Sequence, residues 1–238
     1  MYIQINNIYL FSEVIKMLTK KQVIEKYGKR NRLNVSDGNL KLVSNATTRF
    51  IVWNLPAVIT CPNATELCKK YCYAKKAEIR FPEDVGGYRH QNLIESRKAD
   101  FVENMTFTIL DIAAGTKKKY IVVRIHESGD FYNKKYTTDW LQIMENCKVD
   151  NRIKFIAYTK SFKFFDGVKL PKNFALRASI WADTKQADIE TIKRNDWNIY
   201  TAVDQFQRGD NFTRCRCKDC ATCKKCWQNY RDIRCEIH

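Results

Sequence analysis

A chain of 238 residues, 45% of them hydrophobic and 13% aromatic, can bury a sizeable core in one domain and still carry a small appended module. Its formal charge of +16, from 42 Lys and Arg against 26 Asp and Glu, points to a polyanionic partner, nucleic acid first, with a solvated basic surface as the alternative. The longest apolar stretch, Phe50 to Thr60, contains Pro56 and is too short to span a bilayer, and Glu13 and Lys16 interrupt the N-terminal segment, so no membrane partner and a cytoplasmic location are expected.

Residues 1–35 read as a basic helical segment, with Thr19 and Gln22 placed as a capping box and Gly28 as a helix C-cap. Phe50–Leu55 is apolar and β-prone. A long helical pattern runs from Arg89 to Ala114, with Leu93, Ile94, Phe101, Val102, Met105 and Ile109 on one face and Gly115 at its end. Tyr120–Ile125 reads as a buried strand, Tyr136–Cys147 as a helix, and Lys154–Tyr158 and Phe174–Ile180 as further strands. Asp183 opens a helix to Arg194 with Gln186 behind it, and Ile199–Val203 closes the series as a strand. Apolar strands alternating with helices predict an α/β fold over residues 36–204, a partial or complete parallel β/α barrel. From residue 205 to 238 the periodicity vanishes and cysteines take over, which predicts a small cysteine-rich metal-binding module.

Ten cysteines in a chain expected in a reducing compartment need a reason other than disulfides. Cys61, Cys68 and Cys72 directly follow the first strand, on a loop at its C-terminal end, the face where β/α barrels gather their active sites. Three thiols without a near fourth suit a [4Fe-4S] cluster with one iron left open, in radical enzymes to S-adenosylmethionine. A zinc knuckle or ordinary buried thiols are the alternatives, although structural zinc collects four protein ligands and three-ligand zinc favours histidine. In the tail, Cys217, Cys220, Cys223 and Cys226 make successive Cys-x-x-Cys steps beside Cys215. Uninterrupted two-residue spacing resembles a ferredoxin-type run and predicts a second cluster, with zinc as the alternative. Which four tail cysteines ligate stays open, and Cys235 could replace one.

Polar groups at the predicted strand ends suggest one pocket. After the strand at 120–125 come His126, Glu127, Ser128, Gly129 and Asp130. Gly129 would let a ligand approach the backbone, and Asp130 would accept hydrogen bonds from an amino group or ribose, though turns use the same residues and His126 could be a satisfied core histidine. Thr159, Lys160, Arg177, Ser179 and Asp204 end neighbouring strands. Asp130, His126 and Lys160 are the candidate catalytic residues; Ser128, Gly129, Asp130, Thr159, Arg177 and Ser179 are the candidate cofactor-binding residues.

The runs Gly38–Lys41, Asn54–Pro62, Cys72-Tyr73-Ala74, Arg124–Phe131 with Tyr136 and Trp140, Tyr158-Thr159-Lys160, and the tail ending in Cys226-Trp227 together resemble the phage and plasmid family known as gene product 88, over roughly residues 36–227. That family is in turn similar to radical-S-adenosylmethionine-like phage proteins. The resemblance implies a radical-SAM-type barrel in which Cys61, Cys68 and Cys72 hold the reactive cluster and Gly129 and its neighbours receive the methionine amino group of the cofactor. The cysteine spacing here is wider than the usual radical-SAM one. A rival reading is a metal-stabilised, basic nucleic-acid-binding protein without catalysis, its tail a folding staple and Phe212, Trp227 and Tyr230 interleaved with Arg and Lys.

Overall fold

The apolar runs of the sequence become strands because both of their faces are covered. The computed structural model describes residues 17–39, 42–203, 213–215, 218–228 and 232–236. The N-terminal residues 1–16, Leu40, Lys41, Asp204, Phe212, Cys217 and Tyr230 lie outside the described residues.

Helix α1 (Lys20–Tyr27) starts as expected. The Thr19 hydroxyl accepts from the Gln22 N–H, the Gln22 side chain accepts from the Thr19 N–H, and Gly28 ends the helix at φ 74°. Strand β1 (Thr48–Trp53) leads into two short helices, α2 (Glu66–Lys70) and α3 (Tyr73–Arg80), that the sequence pattern did not announce. The single helix expected over Arg89–Ala114 is two, α4 (Tyr88–Glu95) and α5 (Phe101–Ala114). The Ser96 hydroxyl donates to the Leu93 carbonyl at 2.8 Å, a local bond that competes with helix continuation.

Strand β2 (Tyr120–Ile125), helix α6 (Lys134–Asn146), strand β3 (Ile153–Thr159) and strand β4 (Phe174–Ile180) follow where the sequence places them. Helix α7 begins at Gln186 rather than Asp183 and runs to Arg194, because the Asp183 carboxylate accepts from the Leu67 N–H at 2.9 Å instead of capping its own helix. Strand β5 (Ile199–Val203) comes next. The described tail then adds strand β6 (Thr213–Arg214), a four-residue helix α8 (Cys220–Cys223) and strand β7 (Ile233–Glu236).

All seven strands form one sheet in the order β1-β2-β3-β4-β5-β7-β6, and every described pairing is parallel. Among the described residues β1 and β6 do not pair with each other. The outer edge of β1 is bonded instead to Ser36, through Ser36 N–H to the Val52 carbonyl at 2.9 Å and Val52 N–H to the Ser36 carbonyl at 2.8 Å. The molecule is thus a mixed α/β protein on a seven-stranded parallel sheet.

Alternate strand residues separate two cores. Ile51, Trp53, Val123, Ile125, Phe155, Ala157, Leu176 and Ala178 face the helices, meeting Phe101, Met105, Trp140 and Ile143 in the main core. Phe50, Val122 and Ile156 point the other way and meet Ala221 and Trp227 of the tail. Burial on both sides explains why the strands read as continuous apolar runs rather than alternating ones. Arg177, wholly buried on β4, fastens the tail to this second face: its guanidinium donates to the carbonyls of Lys225 at 3.0 Å and Cys226 at 3.2 Å.

Candidate functional site

In a parallel sheet every strand ends on the same edge, so the loops after β1, β2, β3 and β4 converge there. The loop after β1 carries the first cysteines. Val58 sits at φ 67°, an unfavourable conformation for a β-branched residue. In it the Val58 carbonyl accepts from the Cys61 N–H at 3.0 Å. The Thr65 hydroxyl caps α2 by accepting from the Cys68 N–H at 3.2 Å, and Cys72 caps α3, its sulfur accepting from the Lys75 N–H at 3.4 Å.

All three thiols are half-buried, and Cys72 acts electrostatically on both Cys61 and Cys68. Burial pushes the Cys61 thiol up to about 12, with the charge of Asp130 and then those of Cys68 and Cys72 adding to it and the Val58 N–H opposing it. Burial also raises the Cys68 thiol, while the Lys160 ammonium pulls it down. Lys160 itself is buried, which lowers its pKa against the opposing pull of Cys68, Asp130, Asp183 and Cys61. Its Nζ donates to the Ser179 carbonyl at 2.8 Å and the Ser179 hydroxyl at 2.7 Å. The Trp181 ring lies 6.0 Å from that ammonium, and Tyr71 stacks on Trp181 at 5.9 Å with the planes 8° apart.

The loop after β2 interlocks with its neighbours. Asp130 is buried, and its carboxylate accepts from the Thr159 hydroxyl at 2.6 Å, the Lys160 N–H at 2.8 Å and the Phe131 N–H at 2.7 Å. Burial nonetheless holds this carboxyl above its usual range. Asp130 therefore ties the β2 loop to the end of β3. Gly129, at φ 85°, is pressed against the β1 loop: a Cβ there would lie 2.6 Å from Thr60 Oγ1 and 2.7 Å from Leu55 Cβ. Glycine's missing side chain is used by the protein itself. Ser128 and Glu127 both donate their N–H groups to Asn54 Oδ1, at 3.1 and 2.7 Å.

His126, also at positive φ (64°), is sealed inside the main core. Its Nε2 lies 2.9 Å from the Tyr136 hydroxyl, its ring packs edge-on against Phe131, and Nδ1 has no hydrogen-bond partner. Burial, with Arg124 adding, lowers it to about 3, so the ring is neutral. Thr159, Lys160, Ser179 and Asp130 thus come together beside Cys61 and Cys68, whereas Arg177 points to the opposite face and His126 into the core.

Sequence reasoning missed the polar frame beneath this edge. The Glu78 carboxylate accepts from the Ala57 N–H at 2.8 Å and from Arg89 at 2.9 Å, and Arg89 also donates to the Ala74 carbonyl at 3.0 Å. Asn92 donates to the Asn54 carbonyl at 3.0 Å. Only Asn54, a polar residue directly after an apolar strand, carried a local signal.

The tail cysteines are distributed over the second face. Cys220 and Cys223 bound α8, Cys226 packs in the same cluster as Tyr158, and Cys215 and Cys235 adjoin Tyr200, whose hydroxyl is pushed up by burial and then by Cys235. Among the described residues no group of three or more His, Cys, Asp or Glu side chains is drawn together closely enough to hold a metal ion. No described helix is long and apolar enough to cross a membrane.

A family model described as gene product 88 matches residues 26–229. The Gene 88 protein of Mycobacterium phage D29 is 30% identical over 106 residues, 42% of this chain and 42% of that relative. The Gene 88 protein of Mycobacterium phage L5 is 30% identical over 106 residues, 42% of this chain and 43% of that relative. The aligned stretch spans less than half the length of either relative. No solved structure matches the chain.

Proposed function

This chain belongs to the gene product 88 family, and from that premise we propose that Cys61, Cys68 and Cys72 are the ligands of an iron–sulfur cluster at the carboxyl edge of the sheet. The observation that carries the reading is that the half-buried Cys61 and Cys68 thiols lie beside Lys160 and Asp130, with Cys72 near enough to act on both electrostatically. Thiolates are the donor type such a cluster takes, and the three sulfurs, which are not gathered into a metal-holding group in this structure, would have to close up around it. Burial makes the Cys61 and Cys68 thiolates costly, a bound cation removes that cost, and Lys160 offsets the negative charge of a thiolate-bound cluster. When bound, such a cluster would supply one-electron chemistry and an open iron for a small chelating ligand, for which we propose S-adenosylmethionine. The fold we assign to this reading is an incomplete β/α barrel of the radical-SAM type.

The chain's own residues have the supporting roles. Asp130 and Thr159 fix the β2 and β3 loops against each other, Gly129 and Thr60 hold the β1 loop, and Lys75 donates its N–H to the Cys72 sulfur. Hydrogen bonds to ligand sulfurs raise the reduction potential of such clusters. Cys215, Cys217, Cys220, Cys223 and Cys226 form the second donor set, for a further cluster or zinc. Anaerobic reconstitution with iron and sulfide tests the reading. The parent should bind iron and show a cluster signal in electron-paramagnetic resonance after reduction, one that changes on addition of S-adenosylmethionine. Replacing Cys61, Cys68 and Cys72 by Ala should remove that signal and leave any tail metal in place. Zinc without iron in the parent, or full iron retention in the triple variant, overturns the proposal.

A further inference from the structure

Between Ile59 and Phe81 the surface differs from the rest of the molecule. Five of the nine large hydrophobic side chains exposed among the described residues fall in this stretch: Ile59 (66%), Tyr71 (36%), Tyr73 (61%), Ile79 (72%) and Phe81 (46%). Lys69, Lys70, Lys75, Lys76 and Arg80 are exposed among them. The carboxylates nearby are engaged or to one side: Glu66 pairs with Lys69 at 2.7 Å, Asp183 accepts from the Leu67 N–H, Glu127 accepts from Asn54, Glu78 turns inward to Arg89, and Glu83 and Asp84 lie beyond Phe81. Exposed aromatics interleaved with cations, only Lys69 of them paired with a carboxylate of the stretch, are unusual for a merely solvated face.

The rings are also held in place. Tyr71 lies flat on Trp181, and the Tyr73 hydroxyl donates to the Glu127 carbonyl at 2.6 Å, which leaves the exposed ring anchored at its tip. Lys70 sits 5.4 Å from the Tyr71 ring centroid, and Arg80 sits 5.2 Å from that of Phe81. Fixed rings lose little conformational freedom when a partner stacks on them. A membrane-surface helix would segregate its apolar and cationic residues, whereas here they intermix, and α3 has only eight residues. A duplex hides the faces of its bases; a single strand offers them.

We infer that this surface binds single-stranded nucleic acid, its rings stacking on bases and its lysines and arginine tracking phosphates. The inference goes beyond the cluster reading and does not depend on it, although α2 carries Cys68 and Cys72 caps α3, so a bound strand would pass beside the thiols.

Fluorescence anisotropy of fluorescein-labelled oligothymidylate with the full chain, over a salt series, tests it. Affinity should fall with salt, and Lys75→Glu with Lys76→Glu should reduce the slope of log affinity against log salt by about 1.4, two charges at about 0.7 each. Phe81→Ala should weaken binding roughly tenfold. Lys117→Glu with Lys172→Glu makes the same change in net charge at the opposite edge of the sheet, ahead of β2 and β4, and should leave the slope nearly unchanged. All these side chains are exposed, and circular dichroism should confirm intact folding. Equal weakening by the control pair would reduce the effect to diffuse charge and overturn the inference. So would no oligothymidylate binding at low salt, or binding to phosphatidylserine vesicles in its place.

Discussion

His126 shows how one residue can be chemically conspicuous in a sequence and silent in a fold. It follows a buried strand and precedes Ser128, Gly129 and Asp130, a place where a general base would sit, yet its ring is enclosed by Phe131 and Tyr136 and held neutral. Its pKa falls from about 6.5 unfolded to about 3 folded. Between those values the unfolded state binds more protons than the native state, so stability rises with pH across the window. The contribution is fully present above about pH 6.5 and is lost on acidification at up to about 1.4 kcal/mol per pH unit. Urea unfolding from neutral pH to about pH 4 should therefore show a steeper loss for the parent than for His126→Asn, which tolerates positive φ and carries no titrating ring. Parallel pH profiles would show that His126 is not the group responsible. Gly129 was legible as an exceptional residue and not as to why. Its crowding partners, Leu55 and Thr60, belong to the distant β1 loop, and no local pattern points to them.

At the scale of elements, local chemistry was readable and long-range chemistry was not. The Thr19–Gln22 capping box is as the sequence places it, because both partners lie within one turn. Strands β2, β4 and β5 have the expected bounds, because burial on both faces leaves uninterrupted apolar runs. The break at Ser96 and the late start of α7 depend on side-chain bonds, one of them to Leu67 far along the chain. Arg177 belongs to the same class. It looked like a pocket residue at a strand end, but it clamps the tail carbonyls of Lys225 and Cys226. Arg177→Met should leave those carbonyls unsatisfied at about 1–3 kcal/mol and loosen the tail selectively. Hydrogen exchange should speed up for amides of residues 218–228 while those of β1 and β2 keep their protection. Uniform acceleration across the sheet would show that Arg177 supports the whole fold rather than the tail.

For the whole molecule, alternating strands and helices predicted the parallel sheet, and chain-order neighbours follow from short connections. What the tail does was not legible, because its cysteines signal metal and its apolar content is too sparse for a periodic pattern. In the structure it adds β6 and β7 to the sheet, and Trp227 closes the second face over Phe50, Val122 and Ile156. Trp227→Ala should cost about 3–5 kcal/mol and uncover that face, seen as a lower urea midpoint and new binding of an apolar dye. A lowered midpoint without dye binding would mean that the second face stays covered by other tail residues.

The same arrangement dictates an order of events in synthesis. Strands β1 to β5 and the helices that cover one side of them leave the ribosome before Ala221 and Trp227 do. For that interval the nascent chain has a half-dressed sheet, finished on one side and greasy on the other. The exposed side carries Phe50, Val122 and Ile156 together with an unfilled β5 edge, the combination that invites chaperone capture or premature pairing between neighbouring chains. Translation pauses or truncations upstream of residue 221 should thus be more hazardous to this protein than lesions within its finished surface.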